Sequence, residues 1–189
     1  ATKPACEYAS LYFENAIQRF GFCVSIAKLM DIKIGYGYDV HRLEVGEELW
    51  LGGILLPHHK GAVGHSDADV LLHAICDALL GALALRDIGF HFPDTDPAYK
   101  GIDSKKLLSE TWHKIEERGW ELGNLDTTIC LQTPKLSGSI DAMRQVIGSI
   151  LNVDLDRVSI KATTTEKLGF VGTENGISAH AVVLLKEKK

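Results

Sequence analysis

The sequence lacks the features that mark membrane, nucleic-acid-binding and fibrous proteins. Among its 189 residues there are four cysteines and five prolines, and acidic residues outnumber basic ones by 25 to 20. The resulting net charge of −5 disfavours binding to nucleic acid through phosphate contacts. The most apolar stretch, residues 70–85, is shorter than the roughly 20 residues that span a bilayer, and it contains His73 and Asp77. Composition therefore predicts one ordinary globular domain with neither a membrane nor a nucleic-acid partner.

The N-terminal segment lacks the basic start and apolar run of a secretory signal, and it contains Glu7 and Glu14. We expect residues 1–29 to form an N-terminal extension of unknown role and residues 30–189 to form a single domain. The four cysteines include no C-x-x-C pair, which favours a reducing compartment. The cytoplasm is the predicted location, or a plastid-type organelle if the extension is the remnant of a targeting sequence.

Hydrophobic periodicity predicts strands separated by helices. Ser66 is expected to cap a first helix that extends from residue 67 to about residue 85, and Asp103 to cap a second helix ending near residue 119. The other predicted elements are a short helix before residue 30, strands at 32–40, 125–132, 158–162 and 177–185, a loop at 89–99 and a helix at 140–151. A further strand is predicted at 49–56, broken by Gly52 and Gly53. We therefore expect an α+β fold, a two-layer α/β sandwich whose mixed sheet carries helices on one face.

Three residues suggest a metal site. Asp39 and His41 are two positions apart in a predicted strand, so their side chains project from the same face. His73 lies on the predicted first helix among apolar residues, where an imidazole without a partner is costly. Together they supply the two nitrogens and one oxygen of a catalytic zinc with an open fourth position, and Asp77, one turn further on, is expected to orient His73. The alternatives are a solvated strand end and a hydrogen-bonded core histidine.

Two further groups have the composition of a phosphate and polyol site. The polar run at 163–167 offers three threonine hydroxyls and the carboxylate of Glu166, which suit phosphate oxygens and Mg²⁺. A hydroxyl-rich helix cap has the same composition. The predicted loop contributes Asp87, Gly89, Asp94 and Asp96, which suit sugar hydroxyls and equally suit ordinary turns.

Four ordered motifs carry a resemblance to a known family. They are IGYGYDVH at 34–41, HSDAD at 65–69 with His73, DIG at 87–89 followed by FPDTDP at 92–97, and KATTTEKLGF at 161–170. From about residue 31 to residue 185, the chain resembles the 2-C-methyl-D-erythritol 2,4-cyclodiphosphate synthases of the non-mevalonate isoprenoid pathway. The resemblance implies that residues 30–189 are a catalytic domain, a metal-dependent phosphorus–oxygen lyase assembled as a homotrimer. Its substrate would be 4-diphosphocytidyl-2-C-methyl-D-erythritol 2-phosphate, and its products the cyclic diphosphate and CMP.

The same resemblance implies a role for individual side chains. Asp39, His41 and His73 match the ligands of one zinc per subunit, and Glu166 matches the ligand of a second cation, Mg²⁺ or Mn²⁺, between the two phosphates. Thr164 and Asp87 complete the implied catalytic set. The residues that match the substrate pocket are His65, Ser66, Asp87, Ile88, Gly89, Phe92 and Asp94 around the methylerythritol phosphate, Lys135, Leu136, Ala162, Thr163 and Thr164 around the cytidine, and Phe170. In the family the cytidine pocket comes from the neighbouring subunit, so the active sites lie between subunits.

Two other functions remain open from the residues alone. A zinc phosphoesterase would use the same metal but release a linear product. A non-catalytic scaffold would bind zinc with full protein coordination and would show no turnover.

Overall fold

The computed structural model describes residues 31–99 and 101–188, so the expectations for residues 1–29 lie outside the described residues. Its strands are β1 (Ile32–Val45), β2 (Leu49–Leu51), β3 (Ile54–Leu56), β4 (Lys60–Ala62), β5 (Trp120–Cys130), β6 (Val158–Thr163) and β7 (Gly176–Glu187). Its helices are α1 (Val70–Ala82), α2 (Ile88–His91), α3 (Ser104–Glu116), α4 (Ile140–Leu151) and α5 (Gly169–Gly172), with 3₁₀ turns at Pro97–Tyr99 and Leu155–Arg157.

The main sheet has five strands in the order β4-β1-β7-β5-β6, and β2 pairs with β3 in a separate hairpin. Strand β5 runs parallel to β6, with Leu125 opposite Val158. It runs antiparallel to β7, with Leu125 opposite Val183. The predicted mixed sheet is therefore confirmed.

The two faces of the sheet have different surroundings. Along β1, Gly35 and Gly37 are buried, whereas the alternate residues Ile34, Tyr36 and Tyr38 are exposed. Helix α1 packs on β7, α3 packs on α1 and β5, and α4 packs on β6. Helices therefore cover one face of the sheet, as the two-layer prediction requires, and the other face is open in the single chain.

Two glycines of β1 determine how closely helix α1 approaches the sheet. A Cβ atom added at Gly37 would lie 1.9 Å from the carbonyl oxygen of Ala74, and one at Gly35 would lie 1.8 Å from that of Ala78. Real Cβ atoms do not approach a backbone atom this closely, so the helix rests directly on the strand only because both residues lack side chains. The contact brings the N-terminal half of α1 beside the residues that follow Gly37.

Helix α1 begins later than the sequence predicts, and Ser66 is not its cap. Ala68 has a left-handed backbone (φ 57°), which no α-helix accommodates, and the N-cap is Asp69. The Asp69 carboxylate accepts hydrogen bonds from the backbone N–H groups of Leu72, Gly52 and Gly53 at 3.1, 3.0 and 2.6 Å. Asp69 is fully buried and ties the start of α1 to the β2–β3 turn.

The other elements differ from the predictions mainly at their ends. The bounds of α4 agree with the predicted helix at 140–151, and Asp103 caps α3 through a 2.9 Å bond from the N–H of Lys105. The predicted strand at 49–56 is a hairpin, because Gly52 and Gly53 adopt positive φ angles of 61° and 79°. The predicted loop at 89–99 contains α2 and a 3₁₀ turn. Within the part of the chain that is described, no helix is long and apolar enough to cross a membrane.

Candidate active site

Asp39, His41 and His73 converge where β1 meets the N-terminal half of α1. Oδ2 of Asp39 lies 3.1 Å from Nε2 of His41 and 3.0 Å from Nδ1 of His73. The two nitrogens are 3.3 Å apart. All three side chains are partly buried, so the cluster is reached from one side.

These distances fit a four-coordinate metal ion. Ligand atoms bound at about 2.0 Å in tetrahedral geometry are about 3.3 Å apart, and the sides of the observed triangle are within a few tenths of an ångström of that value. Three protein ligands leave a fourth position for another group. The cluster can therefore hold a divalent metal without rearrangement of the backbone.

Neighbouring groups orient both imidazoles toward this triangle. Nδ1 of His41 lies 3.1 Å from the carbonyl oxygen of Val63. Because a carbonyl only accepts, Nδ1 carries the proton and Nε2 keeps a free lone pair facing His73 and Asp39. Nε2 of His73 lies 2.8 Å from Oγ of Ser104, which donates in turn to a carboxylate oxygen of Asp67. This chain fixes the proton of His73 on Nε2 and leaves Nδ1 for a metal.

Sequence reasoning missed Ser104 and gave Asp67 no role in this network. Ser104 is fully buried at the first position of α3, and its backbone N–H also donates to Asp67 at 2.9 Å. Ser66 makes a second contact with His73, with its Oγ 3.1 Å from Nε2. No local pattern links residues 37 positions apart, so the sequence carried no signal for the Asp67–Ser104–His73 chain.

Charge is balanced within the cluster. Burial alone would raise the pKa of Asp39, but hydrogen bonds with His41 and His73 outweigh it and hold the pKa of this carboxyl well below its ordinary value. Burial opposes the charged form of His73, but the hydrogen bond and the charge of Asp39 outweigh it and raise the His73 pKa. Asp39 is therefore an anionic ligand at neutral pH. A metal cation bound between the three side chains would take the place of the proton that now bridges the Asp39 carboxylate and a histidine ring.

Asp77 does not orient His73 through a hydrogen bond, in contrast to the prediction. Its Oδ1 accepts from the backbone N–H of Ile88 at 2.7 Å and so holds the start of α2 against α1. Burial raises the pKa of the Asp77 carboxyl. The role expected of Asp77 is filled by Ser104, which approaches the opposite nitrogen of the His73 ring.

A cavity of about 220 Å³ opens beside the cluster. His41 and His73 line it together with six of the residues predicted to surround the methylerythritol phosphate. Those six are His65, Ser66, Ile88, Gly89, Phe92 and Asp94. Asp87, the seventh predicted residue, does not line the cavity. It is the N-cap of α2, and its carboxylate accepts from the N–H of Phe90 at 2.9 Å, which holds Gly89 and its neighbours in the cavity wall.

A second cavity, of about 340 Å³, contains all five residues predicted to surround the cytidine. They are Lys135, Leu136, Ala162, Thr163 and Thr164, and Leu131, Gln132 and Pro134 line the same cavity. The two cavities have no lining residue in common. Within one chain, the two predicted halves of the substrate pocket are therefore separate surfaces.

Glu166 lies outside the three-residue cluster, in the exposed turn that follows β6. Its Oε1 accepts from the hydroxyl of Thr164 at 2.9 Å, and its backbone is left-handed, with φ 52°. The neighbouring Lys167 N–H donates to the side chain of Gln132 at 3.3 Å, which links this turn to the second cavity. Phe170 lies on α5, and its ring packs so closely on Gly176 that an added Cβ would lie 2.7 Å from it.

Comparisons with known proteins show which family this chain resembles. A model of the YgbB family matches residues 32–186. The 2-C-methyl-D-erythritol 2,4-cyclodiphosphate synthase of Bacteroides fragilis is 61% identical over 156 residues, which cover 82% of this chain and 98% of the relative.

Two solved structures are similar in fold as well as in sequence. One is a 2C-methyl-D-erythritol-2,4-cyclodiphosphate synthase in its CDP-bound form, with a TM-score of 0.76, 40% identity and coverage of 81% of this chain and 99% of that one. The other is the bifunctional IspDF from Campylobacter jejuni, with a TM-score of 0.81 and 42% sequence identity. The matched region covers 84% of this chain and 43% of that protein. Since the family model matches most of its length, this chain belongs to the YgbB family.

Proposed function

We propose that the chain converts 4-diphosphocytidyl-2-C-methyl-D-erythritol 2-phosphate to 2-C-methyl-D-erythritol 2,4-cyclodiphosphate and CMP, as a phosphorus–oxygen lyase of isoprenoid biosynthesis. The observation that carries the proposal is the Asp39, His41 and His73 triangle, whose two histidines line a cavity together with six predicted substrate residues. The names of the relatives support a cyclodiphosphate synthase, and they give no support to a phosphoesterase or to a scaffold.

Zinc is the metal proposed for the triangle, because two imidazoles and one carboxylate with an open position are its usual catalytic ligand set. When bound, it would polarise the β-phosphate and offset the repulsion between the two phosphates. Asp39 supplies the negative charge of the site, and the hydrogen bonds to Val63 and Ser104 hold the two rings in place. Among the residues that the structure describes, Cys76 and Cys130 are free thiols, which fits the proposed cytoplasmic location.

Glu166 is proposed to hold a second cation, Mg²⁺ or Mn²⁺, together with the phosphates of the substrate. Its carboxylate is exposed and has a hydroxyl, that of Thr164, as a hydrogen-bond donor. An exposed carboxylate beside threonine hydroxyls is a typical environment for Mg²⁺, which keeps several waters and binds through few protein ligands.

The reaction depends on positioning more than on proton transfer. A phosphate monoester has its second pKa at about 6, so the attacking 2-phosphate is ionised at neutral pH and no strong general base is needed. The first cavity would hold the methylerythritol phosphate between Ser66 and Gly89, and the second would hold the cytidine above Ala162. Fixing both ends aligns the 2-phosphate with the β-phosphorus and the leaving CMP.

The substrate site is proposed to be completed by a neighbouring subunit in a homotrimer. One chain keeps its two cavities apart, so a single substrate would need the second cavity of another copy. The open face of the sheet also bears large apolar side chains, with Ile34 67% and Tyr36 59% exposed. A contiguous apolar face of this kind is typical of a subunit interface.

The test of the reaction is turnover of the named substrate followed by ³¹P NMR. We expect cyclic diphosphate and CMP, loss of activity with a chelator and recovery with zinc plus Mg²⁺. A linear product would support the phosphoesterase, and metal binding without turnover would support the scaffold.

The test of the shared site is subunit mixing. Inactive His73→Ala and inactive Lys135→Ala proteins are exchanged under conditions in which labelled subunits are shown to mix. Partial recovery of activity is expected, because some mixed sites take both halves from unmutated surfaces. The absence of recovery after proven exchange would contradict a site shared between subunits.

A further inference from the structure

A second group of potential metal ligands lies outside the catalytic cluster. It consists of His58, His59 and Glu174, which we call the His-His-Glu cluster. One nitrogen from each ring and one carboxylate oxygen all lie within 4.8 Å of one another. The two histidines belong to the segment between β3 and β4, and Glu174 belongs to the turn between α5 and β7. None of these residues takes part in the proposed reaction.

Backbone bonds hold the two segments of the cluster in place. The carbonyl of His59 accepts from the N–H of Gly46 at 3.2 Å. Lys60 extends its ammonium group to the carbonyl oxygen of Glu174 at 2.8 Å. Next to it, the carbonyl of Asn175 accepts from the N–H of Leu43 on β1 at 3.0 Å. Both segments are therefore attached to the main sheet.

Glu174 has a backbone conformation that favours glycine. Its φ angle is 58°, in the left-handed region that costs a residue with a Cβ of the order of 1 kcal/mol. Among residues with a side chain, asparagine, which occurs at the next position as Asn175, adopts this left-handed conformation more often than glutamate does. In this turn the Glu174 carboxylate lies within 4.8 Å of a nitrogen of each histidine ring.

His58 provides the second observation that points to a ligand. Its Nε2 is buried and has no hydrogen-bond partner among the described residues, an arrangement that is costly for an imidazole. The His59 ring does not satisfy it, since the two rings meet edge to face with centroids 4.4 Å apart.

We propose that His58, His59 and Glu174 bind a divalent transition-metal ion, zinc in the first place, which fastens the β3–β4 segment to the α5–β7 turn. A set of two imidazoles and one carboxylate is one that zinc prefers, whereas Mg²⁺ and Ca²⁺ prefer sets made of oxygen ligands alone. Ligand atoms on a tetrahedral zinc are about 3.3 Å apart, and the exposed His59 can rotate to shorten the present spacing. The positive charge of Lys60 weakens the attraction, so this site binds zinc less tightly than the catalytic cluster.

Zinc titration of the full chain tests this site. The protein is first stripped of metal, and excess Mg²⁺ is added to occupy any site formed by oxygen ligands alone. Zinc binding is then measured by equilibrium dialysis. We expect two zinc ions per chain in the unchanged protein, one in His59→Ala and one in His73→Ala. The double variant is expected to bind none. The matched control is His113→Ala, which removes an exposed histidine from α3 and should leave both zinc ions bound.

Two further measurements separate this site from a general loss of structure. His59→Ala should keep full turnover, and Glu174→Gln should weaken only the second zinc, by at least tenfold. In His73→Ala, zinc should raise the melting temperature, and this rise should vanish when His59→Ala is added. One zinc per chain in the unchanged protein, or two in His59→Ala, would overturn the proposal.

Discussion

Ser104 offers a sharp test of how the catalytic cluster is built. Its hydroxyl accepts a hydrogen bond from the Nε2–H of His73 at 2.8 Å and donates one to the carboxylate of Asp67. The change Ser104→Ala deletes this hydroxyl and leaves the three metal-ligating side chains themselves unchanged. Because the ring loses its main support on the side opposite the metal, we expect zinc to dissociate more easily.

The structure sets the size of the effect. Loss of a hydrogen-bond partner of a ligating histidine typically weakens metal binding 10- to 100-fold. Ser66 still offers its Oγ at 3.1 Å from the same nitrogen, so we expect weakening of metal binding at the lower end of this range. We therefore expect a tenfold rise in the zinc Kd, about 1.4 kcal/mol, and a loss of about 1 kcal/mol in the stability of the metal-free protein.

The assay is competition for zinc with a chromophoric chelator, followed by turnover at limiting and at saturating zinc. Activity should fall at limiting zinc and recover at saturating zinc, a pattern that a purely structural role does not produce. Ser109→Ala, an exposed serine on the same helix, is the matched control and should behave like the unchanged protein. A zinc Kd for Ser104→Ala within twofold of the control would refute the supporting role of Ser104.

Three other outcomes are expected. Glu166→Gln should keep its zinc, as metal analysis can check, and lose turnover at least 100-fold because the charge that attracts the second cation is gone; near-normal turnover would contradict this role. Gly37→Ala should lower the free energy of unfolding by about 3 kcal/mol in urea, since the new methyl group meets a backbone oxygen at 1.9 Å. Gly138→Ala is its control, because a Cβ added there would have no atom within 4 Å other than those of its own residue and its chain neighbours. Equal stability of the two variants would contradict the packing argument. Cys76, whose pKa is raised by burial to about 12, should resist thiol reagents at pH 8 until the protein unfolds, as peptide mapping by mass spectrometry would show; rapid labelling of the native protein would contradict it.

The sequence predicted those features that depend on local pattern. Helix α4 has the periodicity of one buried face, and its bounds agree with the prediction. Helix α3 was predicted from its cap and periodicity, and its buried residues, which include Leu107, Thr111 and Ile115, repeat with the helical period. Asp39, His41 and His73 were found from spacing and resemblance, and the fold brings them together.

Features that depend on distant residues escaped prediction. Strand β1 continues to Val45 because β4 pairs with its last three residues, and no local signal marks that extension. Helix α1 starts at Val70 because Asp69 binds the N–H groups of Gly52 and Gly53, which are far away in sequence. The chain from Asp67 through Ser104 to His73 joins three separate segments, so only the folded structure reveals it.

The contact between β1 and α1 has a consequence for how this protein can change over time. Most cores adjust when one apolar side chain replaces another, because side-chain volume sets the distance between their elements. Here backbone meets backbone at Gly35 and Gly37, so the spacing of the two elements that carry the metal ligands does not depend on side-chain volume. Mutations that accumulate elsewhere in the interior can therefore alter stability while leaving the geometry of the reactive centre unchanged. As long as Gly35 and Gly37 are kept, core residues can be replaced during evolution without changing the relative position of the metal ligands.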